Sequence, residues 1–183
     1  YFLGLGALGA KYAASFYEYN PEIVSVIVDE ERKNRYEKSQ IFVNDKAYDF
    51  NYVTKIEENN YPDNIFLVVK SSHLQQAIED MKPFVGEHTM IVSLMNGISS
   101  ERVLADHFGW DRVVNAVAYM DAVKVDNRVT FSSIGKIIFG KMDSINHDKL
   151  VDLHELMNDA EIPNQLSDDI QKAQWAKYLV NVV

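Results

Sequence analysis

The sequence predicts an α/β protein, a doubly wound, mostly parallel sheet covered by helices, with the start of a second, all-helical domain at its C-terminal end. Three observations predict it. Short apolar runs rich in β-branched residues alternate with amphipathic stretches from Tyr1 to Ala160, the pattern of strands separated by crossover helices. The spacing G-x-G-x-x-G, Gly4 to Gly9, lies where the first run gives way to the first helical stretch. Beyond Pro163 the pattern is helical as far as it goes. The boundary is therefore set there, with residues 1–163 as the sheet-containing domain and 164–183 as the first helix of the second.

The elements follow in order. Tyr1-Phe2-Leu3 ends a first strand. Ala7 to Asn20 is helical and stops at Asn20-Pro21, because the residue before a proline disfavours the α region. Val24 to Val28 is a second strand, ending at Asp29, and Glu30 to Lys38 is a polar helix. Ile41 to Val53 alternates apolar and polar residues, as a small hairpin turning at Asn44-Asp45 would. Asn64 to Val69 is a buried strand followed by a helix from Ser72 to Met81. Thr89 to Met95 is another strand. The Asn96-Gly97 after it leads into the helical pattern of Ser99 to Ala105, so it marks a strand–turn–helix junction. Val113 to Tyr119 is a further strand, and Val129 to Ser132 with Lys136 to Phe139 form a late antiparallel pair. His147 to Ala160 is amphipathic, and Ser167 caps the last helix, with Asp168 and Asp169 in its first turn.

Composition narrows the function. The chain has 183 residues, 47% hydrophobic and 25% charged, with a net charge of -9 and no cysteine. Disulfides, thiolate metal sites and a cysteine nucleophile are excluded, and a reducing, cytoplasmic setting fits. An acidic chain without a long basic run is a poor partner for nucleic acid or membrane surfaces, and no apolar run is long enough to span a bilayer. The five histidines show no metal-ligand spacing, and no G-x-S-x-G elbow marks a hydrolase. The chain opens inside an apolar stretch and stops inside a helical pattern, so further residues are expected at both ends.

The glycine loop Gly4-Leu5-Gly6-Ala7-Leu8-Gly9 carries the first chemistry. Gly4 permits a tight turn, Gly6 lets the backbone approach a pyrophosphate, and Gly9 lets the helix pack close to the sheet. The helix N-terminus then presents unpaired N–H groups and a positive dipole end to phosphates. The alternative is a tight strand–helix turn that holds nothing. Asp29 follows a second strand, about 20 residues past Gly9, where a carboxylate accepts from ribose hydroxyls. These features make the fold Rossmann-like. Asp29 would repel a 2′-phosphate and favours NAD, whereas Arg32, Lys33 and Arg35 could hold one. Both cofactors stay open.

Reducing a ketone also needs a proton donor. Lys177 and Asn181 stand four apart on the last helix and share a face, while Trp175 and Leu179 lie elsewhere and can pack. Taken alone, such a pair is ordinary helix-surface decoration. Lys70 and Asn96 end two strands, and ligands of open α/β sheets bind at carboxyl ends of strands. A solvated lysine and a plain Asn-Gly turn are the bland equivalents.

Together, GLGALG at 4–9, VVKSSHLQQAI at 68–78, MNGI at 95–98, DAVKVDNRVTF at 121–131, IIFG at 137–140 and WAKYLVN at 175–181 resemble the ketopantoate reductases (2-dehydropantoate 2-reductases). The resemblance runs over nearly the whole chain. It implies NADPH-dependent reduction of a keto acid, ketopantoate to pantoate, on the route to pantothenate and coenzyme A. It makes Lys177 the general acid, gives Asn181 and Asn96 to the substrate, and sets Lys70 and Asn96 beside the nicotinamide. It places Gly4 to Gly9 and Ala122 on the cofactor. Asp29 stands where the family often has an arginine, with Arg32 three residues on, so NAD remains an alternative to NADP. A catalytic glutamate, a serine and another asparagine of the family would fall beyond Val183. The competing readings are another hydroxy-acid dehydrogenase of this fold and a non-catalytic dinucleotide sensor. The partner is a small-molecule keto acid, and a homodimer is open to the chain.

Overall fold

The computed structural model describes residues 1–56, 60–140 and 147–182, with the side chains of the last helix described as far as Val180. The strands are β1 (Phe2–Leu3), β2 (Ser25–Ile27), β3 (Ile41–Val43), β4 (Lys46–Tyr48), β5 (Asn51–Val53), β6 (Asn64–Leu67), β7 (Met90–Ser93), β8 (Val113–Tyr119), β9 (Ala122–Val125), β10 (Arg128–Phe131), β11 (Lys136–Gly140) and β12 (Asn164–Leu166). The α-helices are α1 (Ala7–Tyr19), α2 (Glu30–Lys38), α3 (Leu74–Met81), α4 (Ser100–Phe108), α5 (His147–Asp159) and α6 (Ile170–Val182).

The main sheet has the order β12-β11-β8-β7-β6-β1-β2-β5. Its neighbours run parallel except β8 and β11. From β1 the chain winds outward through β2 to β5, then returns to β6 and winds the other way through β7 to β8. The order reverses between β1 and β6, and such a switch point opens a crevice at the carboxyl ends of the strands. Alternation along the strands serves both faces. Phe2, Val26, Phe66 and Val92 point to one side, with α1 and α5 residues such as Tyr12, Leu150 and Met157. Leu3, Ile27, Ile65, Leu67 and Ile91 point to the other, with Ile78, Met81 and Leu104 of α3 and α4. Each such fully buried side chain stabilises the fold by about 1.5–3 kcal/mol.

A second sheet, β4-β3-β10-β9, lies against α1. Its β3–β4 hairpin turns at Asn44 and Asp45, both at positive φ (45° and 65°), as a two-residue turn of the primed type requires. The hairpin expected to run to Val53 ends at Tyr48, and Asn51–Val53 pairs parallel with β2 in the main sheet. The expected pairing of Val129–Ser132 with Lys136–Phe139 does not form. β10 pairs antiparallel with β9 and parallel with β3, while β11 pairs antiparallel with β8. Burial explains the separation. Ile137 and Phe139 of β11 are completely buried, whereas β10 sends only Val129 into the same cluster and leaves Arg128 and Thr130 exposed, as suits a small sheet covered on one face.

Two expectations near Pro163 are also corrected. The segment after it begins with β12 rather than a helix: Asn164–Leu166 adds to β11, and Ile137 N–H donates to the Pro163 carbonyl at 2.9 Å. Ser167 does not cap α6. Its N–H still donates to the Phe139 carbonyl at 2.8 Å, so the ladder holds its backbone. Asp169 caps the helix instead, accepting from Lys172 N–H at 3.1 Å.

Two buried ionisable groups stand apart from this apolar packing. Lys11 of α1 is 2% exposed, and its Nζ makes no hydrogen bond but sits 4.4 Å from the Tyr12 ring centre. Burial pulls its pKa down to about 8. Glu101 at the start of α4 is equally buried, and burial holds its carboxyl above the usual range.

Candidate active site

The strand order aligns four carboxyl ends in a row: β1, β6, β7 and β8 are consecutive neighbours. Three strand spacings make this row roughly 14 Å long, the scale of an extended dinucleotide lying across the edge.

At β1 the chain turns through Gly4, whose φ of +105° and proximity to the Val68 carbonyl exclude a side chain. A Cβ on Gly9 would run into the Gly4 carbonyl and come within 3.3 Å of Val68 Cβ, so α1 packs directly on the strand ends. Gly6 is the opposite case, because a Cβ there would meet nothing within 4 Å. α1 starts at Ala7 with no side-chain cap and no acidic residue in its first turn. The first bond of the helix is Ala10 N–H to the Gly6 carbonyl at 3.0 Å. The N–H groups of Ala7, Leu8 and Gly9 come before that bond and have no intrahelical partner. Open space over Gly6 and uncapped donors fit the diphosphate of a dinucleotide. Leu5 is buried, and Leu8 packs against the core, so both side chains are committed to packing.

A cleft of about 290 Å³ opens beside this loop, and Gly4, Gly6, Arg32, Tyr36 and Lys70 are among its lining residues. Lys70 is exposed just after β6, at the expected strand end. Asp29 does not line the cleft. Its Oδ1 accepts from Arg32 N–H at 2.6 Å as the cap of α2, and its Oδ2 lies 3.6 Å from Arg32 Nε. A short carboxylate directly before a helix meets the helix's free donors first. Arg32, one turn on, therefore takes the cleft wall.

Further along the row, Lys177 of α6 donates from Nζ to the Ala118 carbonyl of β8 at 2.5 Å and to Asn96 Oδ1 after β7 at 3.1 Å. The ammonium also sits 5.8 Å from the Tyr119 ring centre. Burial lowers its pKa from the ordinary lysine value. The structure thus joins Lys177 and Asn96, 81 residues apart in sequence. A half-buried ammonium held by two neutral oxygens can give up a proton more readily than a solvated lysine. The side chain of Asn181 lies outside the described residues. Ala122 begins β9 opposite Phe131 and lines neither the cleft nor the recess around Lys177. Trp175 and Leu179, expected to pack, are 50% and 59% exposed.

Sequence reasoning missed the anchor of this helix. Gln174, three residues before Lys177, is buried and accepts from Asn115 Nδ2 of β8 at 3.0 Å. The signal was readable, since residues three apart share a helix face. It also missed Lys124 of β9, which donates to the Leu5 carbonyl inside the glycine loop at 2.5 Å.

The sequence matches the profile of a family described as Ketopantoate reductase PanE/ApbA over residues 1–144. The chain belongs to this family. Among ketopantoate reductases, the 2-dehydropantoate 2-reductase of Streptococcus pyogenes is 21% identical over 99% of the chain, which spans 60% of that protein. The 2-dehydropantoate 2-reductase of Aquifex aeolicus is 26% identical over 98% of the chain, which spans 58% of it. The chain thus covers about three fifths of the length of these relatives. Among solved structures, the 2-dehydropantoate 2-reductase of Geobacter metallireducens superposes with a TM-score of 0.84 at 23% identity, over 100% of this chain and 63% of that one. A D-mandelate dehydrogenase in ternary complex with NADH and anilino(oxo)acetate has the same TM-score at 17% identity, over 98% of this chain and 60% of that one. At these identities the superpositions describe the fold.

Proposed function

We propose that this chain is the dinucleotide-binding part of an NADPH-dependent reductase of a 2-keto acid, with 2-dehydropantoate (ketopantoate) as the first substrate to test. The observation that carries the reading is Lys177, drawn half out of water between Ala118 O and Asn96 Oδ1 at the carboxyl ends of neighbouring strands. A reduced nicotinamide, when bound, supplies a hydride. The residues of this chain do the rest. Gly6 and the N–H groups of Ala7, Leu8 and Gly9 hold the diphosphate, with Gly4 and Leu5 shaping the turn. Arg32 faces a 2′-phosphate from the cleft wall, its charge only partly offset by Asp29. Lys70 and Asn96 line the nicotinamide side, and Ala122 and Asn181 complete the contacts of cofactor and substrate. Lys177 Nζ holds the proton that the reduced carbonyl oxygen takes up. The exposed Trp175, Leu179 and Val180 of α6 support this helix as the first of a helical domain. A homodimer in the cytoplasm is the proposed setting, and a Staphylococcus aureus ketopantoate reductase is described as dimeric.

The deciding experiment titrates the full-length protein with NADPH and NADH in parallel, then measures turnover of ketopantoate by wild type and Lys177→Ala. Wild-type-like turnover by Lys177→Ala sinks the mechanism. A second reading, an NAD-dependent hydroxy-acid dehydrogenase, is favoured by Asp29 and by the likeness to D-mandelate dehydrogenase with NADH. Oxidation of a 2-hydroxy acid with NAD, without action on pantoate with NADP, would select it.

A further inference from the structure

A second cation stands at the glycine loop, beside the cleft residue Tyr36. Lys124 of β9 crosses to the loop and donates to the carbonyl of Leu5, the residue between Gly4 and Gly6. The alternation of β9 turns Ala122 and Lys124 toward the protein and leaves Val123 and Val125 exposed. Lys124 Nζ also sits 5.8 Å from the centre of the Tyr36 ring. Tyr36 lines the cleft beside the loop and also an adjoining recess of about 360 Å³, where Lys124 and Arg35 meet. Asp126 borders the same recess, yet Lys124 forms no ion pair among the described residues.

Such a placement is costly in the free protein. A lysine half out of water, beside an arginine and bonded to a neutral carbonyl, is less well solvated than at the surface. Burial and the Arg35 charge both act against its ammonium. In a chain of net charge -9, a carboxylate partner would be easy to supply. An anion over Gly6 would relieve the cost, because Nζ already reaches the loop backbone and the space above Gly6 is open.

We propose that Lys124 is a diphosphate ligand of the bound dinucleotide, holding the phosphates from the small sheet while the α1 N-terminus holds them from the main sheet. The proposal rests on the dinucleotide-binding reading above. It assigns the strand β9 a direct part in binding, and it separates the roles of two basic groups. Lys124 serves the diphosphate, and Arg32 serves the 2′-phosphate.

The test uses the full-length protein and three probes: NADPH, ADP and adenosine 2′-monophosphate, which lacks a diphosphate. Lys124→Met is expected to weaken NADPH and ADP by about tenfold or more, on the strength of a charge-assisted bond, and to leave adenosine 2′-monophosphate unchanged. Lys124→Arg should keep most of the affinity. Should Lys124→Met fold poorly, the wild type answers alone. ADP should shield Lys124 from an amine-reactive label, and adenosine 2′-monophosphate should not. Unchanged NADPH affinity in Lys124→Met, equal losses for all three probes, or labelling indifferent to ADP would overturn the assignment. Failure of the wild type to bind NADPH and ADP at all would instead overturn the dinucleotide reading on which it rests.

Discussion

Two glycines of one loop differ sharply in what an added methyl group would meet, which yields a paired test of how the loop works. In Gly9→Ala the Cβ runs into the Gly4 carbonyl and crowds Val68 Cβ at 3.3 Å. Both neighbours belong to the strand ends, so α1 must back away from the sheet. Overpacking of this kind costs about 1–3 kcal/mol. At about 2–4 °C per kcal/mol for a chain of this size, melting should fall by roughly 2–12 °C. In Gly6→Ala the Cβ meets nothing within 4 Å, and φ of -65° with ψ of -171° suits alanine. Folding should be unharmed, or favoured by about 0.4–1 kcal/mol through the unfolded chain. The same methyl occupies the space assigned to the diphosphate, so NADPH affinity should fall by about a hundredfold, roughly 2.7 kcal/mol. Thermal melts without ligand and fluorescence titrations with NADPH measure the two effects separately. A Gly6→Ala variant that melts as low as Gly9→Ala, or binds NADPH as tightly as wild type, would refute the division of labour.

Other expectations follow from the charged groups. Lys177→Met should lower kcat by about 10²- to 10⁴-fold while leaving the dissociation constant of NADPH within a few-fold, as read by turnover and titration. With Lys177 as the proposed acid and burial lowering its pKa, the rate should decline with rising pH before the ordinary lysine value of 10.5; a pH–rate profile with no limb below that value contradicts the assignment. Lys11 carries a pKa lowered from 10.5 to about 8, so the unfolded chain binds more protons between those values and wild-type stability rises with pH across them. Lys11→Met should therefore be stabilising at pH 7, by at most roughly 3 kcal/mol, and the gain should shrink as pH climbs from 8 to 10.5 in denaturant melts. Glu101 is the mirror case: its carboxyl is held above the usual range, so wild-type stability falls as pH rises past the unfolded value. Glu101→Gln should be more stable than wild type at pH 7 and lose that advantage below pH 4.5.

The parts of the fold legible in the sequence are those encoded locally. The glycine loop, the apolar run Asn64 to Leu67 and the strand Val113 to Tyr119 each state their structure within a few residues. The small sheet was not legible in that way. Whether Arg128–Phe131 pairs with Lys136–Gly140 or with Ile41–Val43 is a long-range choice, since all three bury residues in one cluster, and no local pattern records it. Ser167 and Asp169 are equally good cap residues in isolation; the ladder bond from Ser167 to Phe139 decides between them. In the site, Asp29 and Arg32 could both face a ribose by spacing. The helix claims the shorter side chain as its cap and leaves the longer one at the cleft. Lys177 stands out by helix spacing and Asn96 by its strand end, and only the resemblance gives them roles, whereas Lys124 gives no sign, because a lysine in a half-exposed strand is unremarkable until its neighbour proves to be the glycine loop.

The parallel pairing of β3 with β10 also sets an order of events during folding. Asn44 and Phe131 meet across 87 residues of chain, and half of the main-sheet strands, β5 to β8, come from the segment between them. Closing so long a loop costs entropy before any of its contacts repay it. The β6–β7–β8 layer, joined by crossovers of ordinary length, has no such delay. The small sheet is therefore expected to form late, delivering Lys124 to the loop only on closing. A refolding experiment followed by tryptophan fluorescence and by NADPH capture should show a compact chain that does not yet capture NADPH.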